Sequence, residues 1–341
     1  PSSIAISWPS SSFSGWGIYG LNLPLQLISQ GRNPVWISKA NRLNLDKQTE
    51  ILLNPVKQRQ AHLSDILAKT GLLEFDFPVL HSLRNDFNPP LEKQVARGSK
   101  NIGFIFFENT EFSPQGLERA QKYDLIVTGS TWNNEILKAR GLTHVVNVFQ
   151  GIDQTLFKPS SLNNLYPDRF TIFSGGKLEY RKAQDVVIAA FKEFHANHKE
   201  ALLIFAWANQ WPLIMLRVAN SPLVKGVPEI SKDNKINYSS WLESNGLPEG
   251  SFIDLGTPAN SEMPYYLAAA DAAVFPNRCE AGTNLVAMEA MAVGLPVILS
   301  ANTGHLDLIN DSNCYPLTKQ AAVKPFKPYA GVDGWAEPDV E

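Results

Sequence analysis

Residues 271–304 constrain the fold more than any other stretch of the chain. They contain, in order, an apolar run of strand length, a polar segment rich in turn residues, an apolar run of helix length and a second apolar strand. These segments cover residues 272–275, 276–283, 284–293 and 297–300. Gly294 and Pro296 end the helical run. Short connections of this kind are typical of a parallel sheet with helices on its faces, so we predict an α/β fold.

Two carboxylates lie in this unit. Glu289 is the single polar residue between positions 285 and 293, so the predicted helix buries it. A buried carboxylate without partners is costly, and Glu289 therefore needs hydrogen-bond donors or a polar cleft. Glu280 stands in the loop after the first strand, at the edge where open α/β sheets bind ligands. The alternative is that Glu289 pairs with a structural cation and that Glu280 is a solvated loop acid.

The beginning of the same helix is suited to an anion. Gly282, Thr283 and Asn284 precede the apolar run, and their backbone amides lie at the positive end of the helix dipole. Free amides at a helix N-terminus are a common binding site for phosphate. We therefore predict that the ligand of this unit carries a phosphate group.

A second anion site is indicated after the apolar strand at residues 170–174. Two glycines and Lys177 follow this strand, and Lys182 comes just before the next predicted helix. Both lysines can reach a diphosphate that lies over the N-terminus of that helix. The alternative is that they are solvated surface lysines. Glu179 and Arg181, which stand between them, are predicted to lie on the surface.

A G-x-G-x-x-G motif occurs at residues 15–20, near the beginning of the chain. A nicotinamide-binding fold needs its first glycine directly after a strand and an acid at the end of the second strand. Here a polar loop separates the first strand from the motif, and no acid ends the second predicted strand. Nicotinamide binding is therefore disfavoured. We predict instead a loop whose backbone approaches a ligand at Gly15 and Gly17, the alternative being glycines that only permit a tight turn.

Polar residues also end two further apolar strands. The strands are predicted at residues 77–81 and 102–107, and they end at His81 and Glu108. Both side chains are candidate ligand contacts, because the carboxyl ends of parallel strands face the ligand crevice. For His81 the alternative is a structural histidine, which is the more common use of a lone imidazole.

Composition narrows the class of protein. With 341 residues, of which 44% are hydrophobic and 18% charged, the chain can form two domains with separate cores. The net charge of -3 comes without a basic block, which disfavours nucleic acid, and no apolar run approaches the ~18 residues of a membrane span. Peripheral membrane contact is left open. Two cysteines are too few for a disulfide framework, so we expect a cytoplasmic protein.

The unit described first resembles the signature of the retaining family 4 glycosyltransferases, which have the GT-B fold. Glu280, Glu289 and Ala290, followed by a Gly-x-Pro-Val strand, carry the resemblance. The signature usually has seven residues between its two glutamates, whereas this chain has eight. The extra residue falls in the turn before the helix, where a small bulge would absorb it.

The middle of the chain resembles the same family. Residues 151–170 are rich in Pro, Ser and Asn and have no periodicity, so we place an interdomain linker there. The residues that match the family are Gly151, Asp153, Phe157 and Pro159. The resemblance implies two Rossmann-like domains that face each other across a cleft: residues 1–150 on the acceptor side and residues 171–341 on the donor side. Family members usually continue through further helices, so the second domain is expected to lack its final helices.

The resemblance also implies roles for the candidate residues. Lys177 and Lys182 would neutralise the diphosphate of a nucleotide sugar, Glu280 would contact the donor sugar, and Glu289 would accept hydrogen bonds from the ribose. The backbone amides near sugar and phosphate would be those of Gly282, Thr283, Asn284 and Leu285.

In the first domain the resemblance places Gly15 and Gly17 near the donor diphosphate. Family members commonly carry a histidine near the donor sugar, and His81 is the candidate match. Glu108 stands where such a histidine would be usual.

The function that the resemblance implies is retaining transfer of a sugar from a nucleotide diphosphate sugar to a hydroxyl of a glycan, a lipid or a small molecule. No cofactor is expected. No metal ion is expected either, because the sequence has no Asp-x-Asp of the kind that holds a metal-nucleotide. Two alternatives stay open: a catalytically silent protein that binds nucleotide sugars or acts as a scaffold, and an NAD-dependent oxidoreductase.

Overall fold

The computed structural model describes residues 2–89, 95–160, 165–209, 211–232 and 236–341. The chain divides into two compact units. The first contains Pro1–Gln150 together with the short segments Ala259–Ser261 and Phe326–Gly331. The second contains Gly151–Pro258, Glu262–Pro325 and Val332–Glu341.

The first unit is a six-stranded parallel sheet with helices between its strands. Its elements are β1 (Ser3–Ile6), α1 (Gly15–Ser29), β2 (Asn33–Trp36), α2 (Lys47–Thr70), β3 (Leu73–Glu74), β4 (Val79–Leu83), β5 (Ala96–Arg97), β6 (Asn101–Ile105), α3 (Pro114–Ala120), β7 (Leu125–Thr128), α4 (Thr131–Ala139) and β8 (Val145–Asn147). The strand order is β2-β1-β4-β6-β7-β8, and β3 pairs with β5 outside this sheet.

The helices of this unit begin at polar caps and pack apolar faces on the sheet. Ser14 caps α1, Asp46 caps α2 and Ser130 caps α4, in each case by accepting a hydrogen bond from a backbone amide. Apolar side chains from α1, α2 and the strands form one continuous core. Its fully buried members include Ile6, Trp8, Trp36, Leu53 and Val56.

The glycine motif at residues 15–20 lies within α1, so the prediction of a loop there is wrong. The two inner glycines are needed for packing. A Cβ on Gly17 would lie 2.3 Å from the Cβ of Ser11, and one on Gly20 would lie 2.8 Å from Nε1 of Trp8. Helix α1 therefore approaches the preceding loop more closely than a residue with a side chain would allow.

The second unit is also built on a six-stranded parallel sheet. Its elements are β9 (Phe170–Gly175), α5 (Gln184–Asn197), β10 (Ala201–Ala206), α6 (Pro212–Met215), β11 (Glu229–Ile230), β12 (Ile236–Asn237), α7 (Tyr238–Ser244), β13 (Phe252–Asp254), α8 (Met263–Ala268), β14 (Ala272–Phe275), α9 (Leu285–Ala292), β15 (Val297–Ser300), β16 (Tyr315–Leu317), β17 (Gln320–Ala322) and β18 (Ala336–Pro338). Two short antiparallel pairs, β11 with β12 and β17 with β18, lie outside the sheet.

The strand order of the second sheet, β13-β10-β9-β14-β15-β16, fixes where a ligand can bind. From β9 the chain builds outwards through β10 to β13, and it then returns to the other side of β9 at β14. This reversal between β9 and β14 is a topological switch point, and ligands of open α/β sheets bind outside the carboxyl ends of the two strands that flank it. We therefore expect a ligand-binding site at the loops that follow β9 and β14.

The predicted α/β class with parallel sheets is confirmed in both units. Residues 315–341 contain the three short strands β16, β17 and β18. None of the helices in the described ranges is both long and apolar enough to cross a lipid bilayer.

Candidate functional site

The loops after β9 and β14 meet at the switch point of the second sheet. The backbone amide of Arg278, in the second loop, donates to the carbonyl of Arg181, in the first, at 2.8 Å. The cations of the first loop and the carboxylate of the second thereby come together, although about a hundred residues separate them in sequence.

The first loop is held in shape by Gln184, the first residue of α5. Its Nε2 donates to the carbonyls of Gly176 and Lys177, both at 3.0 Å, and its Oε1 accepts from the amide of Glu179 at 3.2 Å. Ala183 precedes it with a φ of 58°, a left-handed conformation that is unusual for alanine. The loop therefore has a single compact path between β9 and α5.

Glu179 and Arg181 are buried, so the prediction that they lie on the surface is wrong. The Arg181 guanidinium forms an ion pair with Glu179, and Nζ of Lys177 lies 3.0 Å from Oε2 of the same carboxylate. Burial opposes the charged form of Glu179, but Arg181 and Lys177 hold the pKa of its carboxyl below the usual range. Glu179 is thus the internal counter-ion of the first loop.

Lys182 and Glu280 form the ion pair that joins the two loops. Nζ of Lys182 lies 2.5 Å from Oε2 of Glu280, which also accepts from Nδ2 of Asn277 at 2.8 Å. Burial opposes the charged form of Glu280, yet Lys182 and Arg181 hold the pKa of its carboxyl at about 2. Burial lowers the pKa of the Lys182 ammonium, an effect that Glu280 opposes. Lys182 and Glu280, which were both predicted as site residues, are therefore in direct contact, and the charge of each partly neutralises that of the other.

Lys177 is the more accessible of the two lysines. Its side chain is 30% exposed, whereas that of Lys182 is 10% exposed. Its ammonium lies 5.2 Å from the centre of the indole ring of Trp211, which is itself exposed. A cation over an aromatic face is a weak attraction that a phosphate ligand can replace.

The turn before α9 contains a residue in a left-handed conformation. Asn284 has a φ of 65°, and its Oδ1 accepts from the amide of Ala287, so it caps the helix from a left-handed conformation. Asparagine adopts this conformation more readily than other non-glycine residues. The cap lets α9 begin at Leu285, and Glu289 lies buried within that helix.

His305 stabilises this turn. It was not predicted as a site residue from the sequence. Its ring is fully buried, with Nε2 at 3.0 Å from Nδ2 of Asn284 and Nδ1 at 3.2 Å from the carbonyl of Ser300. Because Oδ1 of Asn284 is occupied by the amide of Ala287, its Nδ2 faces the ring and donates to Nε2. Burial lowers the pKa of His305 to about 4, so the imidazole is neutral at pH 7. The signal in the sequence was its place just after β15.

Gly304 allows the turn and the loop after β15 to approach each other. Its amide donates to the carbonyl of Glu280 at 3.0 Å. A Cβ at this position would lie 1.8 Å from the carbonyl oxygen of Gly282 and 2.7 Å from that of Glu280. Any side chain here would push the loop of Glu280 away.

Arg278 is a second residue that the sequence did not indicate. Its side chain is completely buried and forms ion pairs with Asp185, in the first turn of α5, and with Glu337, in β18. Burial disfavours the charged guanidinium, but the hydrogen bonds with Asp185 keep the pKa of Arg278 above its usual value. It stands two residues before Glu280, where a charged residue in a strand-end loop could have been noted.

The remaining candidates, Gly15, Gly17, His81 and Glu108, belong to the first unit. His81 lies in the middle of β4, so the prediction that it ends a strand is wrong. Its Nε2 donates to Oδ1 of Asn101 at 3.0 Å, and burial lowers the pKa of its ring. Strand β6 ends at Ile105, so Glu108 lies three residues beyond the strand rather than at its end, and it is half-buried.

Comparison with known proteins bears on the family and the fold. The family model described as glycosyl transferases group 1 matches residues 161–327. This range includes Lys177, Lys182, Glu280 and Glu289. No curated protein sequence matches the chain.

Several solved structures share the fold. HepE of Anabaena, in complex with UDP and glucose, is 13% identical with a TM-score of 0.62 over 92% of this chain and 85% of its own. Sucrose-phosphate synthase of Thermosynechococcus elongatus is 15% identical with a TM-score of 0.60 over 93% and 86%. A glycosyltransferase of Rickettsia africae ESF-5 is 13% identical with a TM-score of 0.56 over 93% and 84%. The fold is that of the GT-B glycosyltransferases, with two Rossmann-like domains.

Proposed function

We propose that the protein is a glycosyltransferase that moves a sugar from a nucleoside diphosphate sugar to an acceptor hydroxyl. The observation that carries the proposal is the cluster of Lys177, Arg181 and Lys182 at the switch point of the second sheet. Three cations and the two carboxylates of Glu179 and Glu280 leave one net positive charge there, which suits an anionic ligand. The family match supports the reaction class, and HepE, which shares the fold, binds UDP and glucose.

In this proposal the two lysines stabilise the leaving diphosphate. Negative charge develops on the diphosphate oxygens when the bond to the sugar breaks, and a fixed ammonium group lowers the energy of that state. Lys177 is accessible and contacts Glu179 and the face of Trp211. Lys182 is already fixed by Glu280, so its position costs little to organise when the ligand binds. We propose that these groups act without a metal ion.

The carboxylates would bind the rest of the donor. We assign the ribose hydroxyls to Glu289 and the donor sugar to Glu280, whose Oε2 contacts Lys182. The amides of Gly282, Thr283, Asn284 and Leu285 would lie near sugar and phosphate. Transfer with retention of the anomeric configuration is part of the same proposal.

Calorimetric titration with UDP, GDP, ADP and NAD tests the donor site directly. We expect one nucleoside diphosphate to bind, and we expect Glu289→Ala to weaken that binding by at least about tenfold, the equivalent of ~1.4 kcal/mol. Glu193→Ala, an exposed glutamate on α5 of the same unit, is the matched control and should bind like the wild type. Binding of NAD alone, or of none of the four, would overturn the proposal.

One observation favours a catalytically silent binding protein as the second candidate. A single oxygen of Glu280 contacts Lys182, Arg181 and Asn277, so the carboxylate is heavily engaged before any sugar arrives. Such a protein would bind the nucleoside diphosphate and leave its sugar ester intact. Incubation with the matching nucleotide sugar distinguishes a transferase from a silent binding protein. Only a transferase releases nucleoside diphosphate, by transfer of the sugar to an acceptor or slowly to water.

A further inference from the structure

Arg278 and its partner Asp185 are both completely buried in the second unit. Its guanidinium binds both oxygens of Asp185, donates through Nε to Glu337 at 2.6 Å, and donates through Nη1 to the carbonyl of Tyr180 at 2.6 Å. It also lies 4.0 Å from the centre of the Tyr180 ring. Two carboxylates already balance this cation, so it has no charge to offer a ligand.

The contact between the two loops is reciprocal. Arg278 of the second loop donates to the Tyr180 carbonyl of the first, and Arg181 of the first loop donates to the Cys279 carbonyl of the second, at 3.2 Å. A backbone bond from the amide of Arg278 to the carbonyl of Arg181 joins the same two loops. We call these contacts of Tyr180, Arg181, Arg278 and Cys279 the arginine clamp.

The arginine clamp stands directly beside the ion pair of the candidate site. Lys182 follows Arg181 and Glu280 follows Cys279, so each member of the pair is the next residue along from the clamp. Hydrogen bonds between a charged donor and a buried carbonyl are among the stronger ones in proteins. A change in the separation of the two loops would therefore move Lys182 relative to Glu280.

We propose that Arg278 is a positioning residue that sets the place of Lys182 at the donor diphosphate by locking the loop after β14 to the loop after β9. The proposal rests on the proposed function, because it assigns the diphosphate to Lys182. Arg278 itself does not touch the ligand. Asp185 and Glu337 orient its guanidinium from α5 and from β18, so the strand pair of β17 and β18 contributes to the site through Glu337.

The test compares two ligands that differ only in the diphosphate. Calorimetry gives the dissociation constants of the preferred nucleoside diphosphate and of its nucleoside, for example UDP and uridine. We divide the dissociation constant of the nucleoside by that of the nucleoside diphosphate. In Arg278→Lys we expect this ratio to shrink about tenfold, a change of ~1.4 kcal/mol, while nucleoside affinity stays near the wild-type value. Lysine keeps the charge but cannot donate to Tyr180, Asp185 and Glu337 together.

Arg169→Lys is the matched control. Arg169 also joins loops of the second unit by donating to the carbonyls of Glu200, Ala201 and Gly250, but it does so just before β9 begins, at the opposite end of the strands. We expect this variant to lose stability without a change in the ratio. If Arg278→Lys does not fold, Glu337→Ala is the second variant, because it removes a partner of Arg278 that is 33% exposed. The same decrease in the ratio is expected, with a smaller loss of stability.

A double variant distinguishes positioning from general destabilisation. In the Lys182→Ala background, Arg278→Lys should cause no further loss of diphosphate affinity, because the group that the clamp places is gone. Additive losses, or an unchanged ratio in the single variant, would overturn the positioning role while leaving the donor site intact. A wild-type protein that binds no nucleoside diphosphate would instead reject the proposed function on which the role rests.

Discussion

Nζ of Lys182 and Oε2 of Glu280 lie 2.5 Å apart, and each side chain is only 10% exposed. The pair joins the loops of two strands that are neighbours in the sheet but far apart in sequence. It therefore holds the switch point together, and under the proposed function it also fixes the ammonium group that binds the diphosphate. Variants at either position should change both stability and ligand affinity.

Replacing Lys182 with alanine should weaken binding of the nucleoside diphosphate by at least about tenfold, because a fixed cation at the phosphate is lost. It should also lower the free energy of unfolding by roughly 3–5 kcal/mol, since Glu280 is left buried without its nearest counter-ion. Calorimetry and urea denaturation measure the two effects. Lys199→Ala, at an exposed lysine of the same unit, is the control.

The double variant Lys182→Met with Glu280→Gln should recover much of that stability. A buried ion pair can often be replaced by neutral groups of similar volume at little cost, whereas a single unpaired charge cannot remain buried cheaply. Diphosphate affinity should stay low in the double variant. Recovery of affinity together with stability would show that Lys182 is a structural cation only.

The acid sensitivity of the protein should include a contribution from Glu280. Its pKa is held at about 2 in the folded protein, against an ordinary value of 4.5, so the unfolded chain takes up a proton first as the pH falls. The stabilisation is complete above pH 4.5 and is lost as the pH falls towards 2, an effect on the order of 3 kcal/mol. Urea denaturation at pH 7 and pH 3 should show a smaller decrease for Glu280→Gln than for the wild type.

His305 should titrate in a different range. Burial depresses the pKa of its ring from 6.5 to about 4, so between these values the unfolded chain binds a proton that the folded protein does not. Its contribution is therefore present above pH 6.5 and is lost as the pH falls towards 4. The ring signals of His305 in a nuclear magnetic resonance titration should stay those of a neutral imidazole at pH 5. A midpoint near 6.5 would contradict the buried network with Asn284 and Ser300.

Gly304→Ala should destabilise the second unit by at least about 2 kcal/mol, because the new methyl group would meet backbone oxygens rather than a side chain that can move aside. It should also weaken ligand binding by displacing the loop of Glu280. Thermal unfolding gives the first effect and calorimetry the second. Gly151→Ala, where a Cβ would meet nothing within 4 Å, should be close to neutral.

The sequence predicts the centre of the second unit because local patterns determine it. The apolar strand, the turn, the helix with a single carboxylate and the second strand are all present at β14, α9 and β15. The family resemblance assigned Lys182 and Glu280 to one site, and parallel strands do place the two loops at one edge of the sheet. The strand order, which makes this edge a switch point, could not be predicted from local patterns.

The residues that were missed or misplaced depend on contacts between distant segments. Arg278 and Arg181 are buried by partners in other loops, and nothing in the neighbouring sequence indicates that environment. Glycines at residues 15–20 are typical of a loop, but here they lie in a helix, where Gly17 and Gly20 are needed because Ser11 and Trp8 approach closely. In each case tertiary packing overrides the local preference.

The indole of Trp211 offers an optical reporter for the proposed donor site. It is 54% exposed, whereas five other tryptophans are each almost completely buried: Trp8, Trp36, Trp207, Trp241 and Trp335. The Lys177 ammonium over its ring would turn away whenever that lysine engages a phosphate, and the charge acting on the fluorophore would change with it. Intrinsic fluorescence could therefore follow donor occupancy in real time without a label, and Trp211→Phe would assign the signal.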